Sequence, residues 1–183
     1  YESVREPAEG TMLTVFREMA HSIARQVAHL EPGRQRLDPG ASAEQEDDVL
    51  ADVIEKALTG VVKLRTMAAP AARSNAALGA EREGNGILLS PKLVLTIGYL
   101  VMEADEVEIT DHKGRRLPGK VAGFDQETGF GLVRLLVPAQ GEPMVLGDAR
   151  SLKEKDPVLA AGARGNIAPA FITSRREFTG GWE

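Results

Sequence analysis

The chain has 183 residues, 43% of them hydrophobic but only 4% aromatic, so Val, Leu, Ile and Ala must fill its core. Its 27 acidic residues outnumber 22 basic ones, and a net charge of −5 argues against binding along a phosphate backbone, which needs a basic surface. With no cysteine, disulfides, thiolate catalysis and cysteine-held zinc are excluded, and no run approaches the ~20 apolar residues of a membrane-spanning helix.

Residues 1–40 read as an N-terminal helical arm and linker. Met12, Phe16, Met19, Ile23, Val27 and Leu30 recur every three or four residues, which is one face of a helix, and Pro32-Gly33 stops it. Arg17, Glu18, Arg25 and Gln26 fall on the other sides. This amphipathic face packs on the following domain or on a sister chain. A membrane-surface helix would carry many more Lys and Arg on its polar face. No basic segment leads into an apolar one near Tyr1, so no signal peptide is expected.

The remainder, 41–183, opens with a leading helix over 41–59. Ser42-Ala43-Glu44-Gln45 fits a capping box, and Glu44, Glu46, Asp47 and Asp48 fall in the first turn, where the helix dipole favours negative charge. Leu50, Val53, Ile54, Ala57 and Leu58 form its buried stripe, and Gly60 ends it. The acidic cluster is helix-start chemistry; no histidine stands near it to suggest a metal.

After Gly60 the period changes from 3.6 to 2. "VVKLRTM" alternates, "AAPAARSNAALGAERE" is a small-residue loop, and "NGILLS" and "LVLTI" flank Ser90-Pro91-Lys92 as a hairpin. "EVEITD" and "RRLPGKVAGF" flank a tight turn at His112-Lys113-Gly114. "FGLVRLLV", "PMVL", "PVLAAG" and "AFITSRREF" follow as short strands bounded by turn residues. The expected class is mainly β, a barrel or sandwich preceded by N-terminal α-helices.

The order of these pieces resembles the trypsin-like serine protease family, and within it the HtrA-like branch, from about Gly60 to Glu183. "GNGILLSPKLVLT" is similar to that family's glycine-hydrophobic stretch leading into V-L-T-N-x-H-V. "ITDHKGRRLPGKVAGFDQETGFGLVRL" is similar to its strand, turn, strand and D-L-A-V-L-K motif, and "PMVLGDARSLKEKDPVLAAGARGN" to its P-L-x-L-G-D to A-I-G-x-P-x-G segment. The resemblance implies a double β-barrel, with a first barrel over about 60–140 and a partial second barrel over about 141–183. In that partial barrel the sequence supplies about three strands where the fold has six. It also implies that Gly162–Asn166, which lacks a phosphate-loop ending, is an ordinary turn between second-barrel strands. Arg175-Arg176 reads as a solvated strand end.

Laid on the family's catalytic triad, the histidine position falls on Tyr99 and the aspartate position on Gly129; the G-N-S-G-G nucleophile motif has no counterpart up to Glu183. Tyrosine, with a pKa near 10, is a poor base at pH 7, and glycine offers no carboxylate. Asp125 and Glu127 are the carboxylates nearest Gly129 in sequence, while His112 is expected at a hairpin tip and His21 and His29 on the arm. Tyr99 is expected to plug the imidazole's space with its hydroxyl bonded to a backbone group, and Gly98, Gly129 and Gly131 to mark close backbone packing.

The resulting expectation is a pseudoprotease: an inactive homologue that binds a protein or extended peptide by strand addition, with the N-terminal helix joining a homo-oligomer. No cofactor, metal, nucleic acid or membrane span is expected. The alternatives are a fragment of a serine endopeptidase whose serine lies elsewhere, and a purely structural oligomerisation domain. HtrA-like proteins are often periplasmic, and without a visible export signal both cytoplasm and periplasm stay open.

Overall fold

Alternating side chains close six strands into a barrel. In the computed structural model, which describes residues 52, 54–163 and 165–175, the strands run β1 (Val61–Ala68), β2 (Glu81–Ser90), β3 (Leu93–Ile97), β4 (Ala104–Thr110), β5 (Arg116–Phe124) and β6 (Phe130–Leu135). Two one-turn helices, α1 (Asn75–Leu78) and α2 (Gly98–Val101), interrupt the connections. The spatial order is β1-β2-β3-β6-β5-β4, antiparallel throughout, and β1 pairs with both β2 and β4. Closure leaves no strand edge of the barrel exposed.

The period of two decides what lies inside. Val62, Leu64 and Thr66 of β1 point inward while Arg65 and Met67 point out. Val62, Leu64, Leu88, Val94, Ile109 and Val133 are fully buried in the barrel, with Leu100 and Val101 of α2 closing one end. Each such side chain contributes roughly 1.5–3 kcal/mol on burial. The opposite end is tied by Asp111, whose carboxylate accepts the backbone N–H groups of Lys113 (3.1 Å), Arg115 (3.0 Å) and Gln140 (3.3 Å) and the Arg115 side chain. The tight turn expected over 112–114 is present, with Gly114 in the left-handed region at φ 75°.

The strap from 136 to 148 leaves the barrel without strand structure. The strand expected at "PMVL" is absent: Met144 donates a single backbone bond to Leu88 O, and Val145 and Leu146 are exposed. One bond to the end of β2 does not make a ladder, so these four residues do not form a strand. A 3₁₀ turn (Ala149–Ser151) leads into β7 (Pro157–Ala161) and β8 (Ile167–Phe171), a separate two-stranded sheet. The described residues beyond the barrel thus hold two strands rather than three, and β8 ends at Phe171 rather than running through "TSRREF".

The helix leading into β1 ends at Gly60 as expected, its N–H donating to Ala57 O at 3.0 Å. The arm over 1–40 and the capping box at Ser42–Gln45 lie outside the described residues.

Candidate functional site

β3 delivers the chain into α2, and the backbone there is held from three directions. Thr96 Oγ1 donates to Asn85 O (2.8 Å), Thr66 Oγ1 to Leu100 O (2.6 Å), and Arg82 Nη1 to both Tyr99 O (2.8 Å) and Met102 O (2.7 Å). Leu100 and Val101 fill the space beneath. The Tyr99 ring consequently stands at the surface, 44% exposed, and among the described residues its hydroxyl has no partner. The expected plug is therefore corrected. What engages the protein is the Tyr99 main-chain carbonyl, because neighbouring apolar side chains already occupy the interior.

Gly129 closes the β5–β6 turn in the left-handed region, at φ 71°. The turn is organised by Asp125, which accepts from Glu127 N (3.1 Å), Thr128 N (3.3 Å) and Thr128 Oγ1 (2.5 Å). These bonds, the Thr128 side chain's first, hold its carboxyl below the usual range. The turn then meets α2 backbone to backbone: Gly98 N donates to Gly129 O at 2.7 Å. A Cβ on Gly98 would overlap the Phe124 ring and come within 3.0 Å of Gly129 O, and one on Gly131 would overlap the Val101 side chain. Close packing thus explains Gly98 and Gly131, whereas Gly129 is a requirement of its positive φ.

The segments bearing Tyr99 and Gly129 are therefore neighbours, with no imidazole between them. His112 sits past the far end of β4 from α2, its ring Nδ1 3.0 Å from Gln140 O rather than facing bare solvent. His21 and His29 lie outside the described residues. Asp125 is committed to its own turn, and Glu127 is exposed.

The sequence reading missed the clamp behind Tyr99. Arg82 is 4% exposed and also donates through Nε to Gly79 O (3.1 Å) and through Nη2 to Ser74 Oγ (2.7 Å). Glu103, at φ 53°, accepts from Ser74 N (2.9 Å) and Arg73 N (3.3 Å), and hydrogen bonds from Ser74 lower its pKa. Arg82 shares the inward side of β2 with Gly84, Gly86 and Leu88, but a lone arginine at an inward position carries no local mark of burial.

Elsewhere, Gly162–Asn166 is the β7–β8 turn, as read, and Gly162 N donates to Asn166 O at 2.9 Å. Arg175 is not simply solvated: its Nη1 donates to Arg150 O (3.0 Å) and Leu152 O (2.9 Å). Among the described residues no three His, Asp or Glu side chains converge as a metal site, and no helix is long and apolar enough to cross a membrane. A groove of about 390 Å³ lies on the outer face of β1, β4 and β5, and neither Tyr99 nor Gly129 lines it.

A closed six-stranded antiparallel barrel followed by strands of a second sheet defines a mainly β, trypsin-like class of domain. A sequence model described as the trypsin-like peptidase domain matches residues 84–180, just over half of the chain, and the chain belongs to that family. Its fold is shared with the HtrA-type protease AlgW, solved in a variant form with a tripeptide, at a TM-score of 0.54 and 21% sequence identity. The match covers 68% of this chain and 39% of that one, so this chain spans well under half of that protein's length. No curated protein matches its sequence.

Proposed function

We propose that this trypsin-like domain is catalytically inactive and binds a protein or an extended peptide. The observation that carries the reading is the contact between the two segments that the family's motifs assign to base and carboxylate. They meet through Gly98 N and Gly129 O at 2.7 Å, with the Phe124 ring packed over Gly98. The side chains at these positions are a surface tyrosine and a hydrogen atom. A triad needs a group that accepts the serine proton near neutral pH and a carboxylate that holds it in orientation. Neither is present at this contact, and losing triad members costs several orders of magnitude in rate.

A β-barrel without chemistry retains its surfaces, and protein recognition needs no nucleophile. The test is labelling of the full-length protein by a fluorophosphonate probe, with a working serine protease as control. No covalent adduct is expected at concentrations that label the control fully. An adduct would make the chain part of a working serine endopeptidase, with its nucleophile outside the residues described above.

A further inference from the structure

The outer groove of the barrel combines an apolar floor with a charged rim. Met67 of β1 and Pro118 of β5 form its apolar floor, and Met67 remains 36% exposed. Glu106 pairs directly with Met67 across the β1–β4 ladder, and Glu108 pairs with both Arg65 and Pro118. Three carboxylates and two guanidiniums line the groove. Arg65 is engaged by Glu81, and Arg116 lies 3.8 Å from Glu108. Asp105 and Glu106 are exposed and join no ion pair among the described residues. The groove thus has basic side chains already answered at one end and unanswered carboxylates at the other, with the Met67 thioether beside the latter.

We propose that this groove docks an extended peptide segment bearing lysine or arginine. The aliphatic stem of such a side chain fits the floor. Methionine adapts to it without a fixed shape, and residues opposite each other on adjacent strands stand about 5 Å apart, so a stem on Met67 brings the cation to Glu106. Asp105, left without a ladder partner by the bulge between Met67 and Ala68, adds a second carboxylate beside Glu106 in the groove lining. The charge is complementary at this end only, which fixes where the basic side chain sits along the groove. The inference does not rest on the inactivity of the Tyr99 region, and the two can fail separately.

The probe is a capped Lys-Val-Lys-Val peptide, with capped Glu-Val-Glu-Val as its opposite. Each is titrated into the full chain carrying ¹³C-methyl methionine, with the Met67 signal identified through Met67→Leu. The lysine peptide is expected to shift the Met67 methyl signal and the glutamate peptide to leave it in place. Asp105→Asn with Glu106→Gln is expected to weaken the lysine peptide by about three- to tenfold, the sum of two exposed ion pairs, while Glu154→Gln changes nothing. Added salt weakens binding in the same direction. Equal shifts with both peptides, no shift with either, or a lysine-peptide affinity untouched by the double substitution would each overturn the proposal.

Discussion

Gly98 is fixed by two neighbours at once. The Phe124 ring covers the place where its Cβ would stand, and Gly129 O accepts its N–H. Gly98→Ala is therefore expected to cost about 1–3 kcal/mol by overpacking, read as a lower urea midpoint, and Gly98→Ala combined with Phe124→Ala to lose less than the two changes added separately. Asp111 makes the opposite kind of contribution, through charge. Burial raises its pKa, but bonds from the Arg115 side chain, Arg115 N and Gln140 N outweigh that and hold it below the ordinary value. A carboxyl with a lowered folded pKa stabilises the fold fully above its unfolded pKa, near 3.9, and that stability is lost as pH falls through the folded value. Asp111→Asn is expected to cost about 2 kcal/mol at pH 7. The gap from wild type should close as the pH is taken below about 4, and a gap independent of pH would show that the Asp111 charge adds nothing.

Arg82 links elements rather than atoms. One guanidinium on β2 holds the carbonyls of Tyr99 and Met102 in the α2 turn, the carbonyl of Gly79 and the hydroxyl of Ser74. Arg82→Met leaves those acceptors without their donor in a closed space and is expected to cost about 2–4 kcal/mol. Arg82→Lys recovers little, because an ammonium cannot span acceptors that a planar fork reaches together. Faster proteolysis within 69–80, ahead of global unfolding, would locate the damage. The clamp shows which parts of this fold are legible in sequence. β1 and β6 are plain because apolar residues alternate with charged or small ones, and β3 because a short β-branched and apolar run is bounded by the turn signal at Ser90-Pro91-Lys92. The first half of β2, "EREG", reads as loop because its inward positions are Arg82 and Gly84, and nothing local distinguishes a buried arginine from a solvated one. "PMVL" fails in the opposite way, since an apolar run becomes a strand only if another strand lies beside it. At the site, the order of motifs brings out Tyr99 and Gly129, but not the backbone bond that joins their segments, which depends on the β3–β6 pairing.

At the scale of the whole unit, the two sheets differ in what holds them. The barrel closes on itself around side chains that water does not reach, and its strands pair on both sides. β7 and β8 pair only with each other among the described residues, and none of their residues is fully buried. An isolated two-stranded sheet is marginal in water, because two strands share one ladder and cannot enclose a core between them. Local opening follows burial and hydrogen bonding, so the two sheets should open with different free energies. Hydrogen exchange on the full chain at neutral pH is the direct measurement. Amides of β1, β3 and β6 are expected to exchange only through global unfolding, at a rate that denaturant accelerates steeply. Amides in 157–171 are expected to exchange orders of magnitude faster and with little denaturant dependence, since their opening exposes little new surface. Protection of β7 and β8 equal to that of the barrel would require a cover over their outer edges. If that protection faded on dilution, the cover would come from another chain.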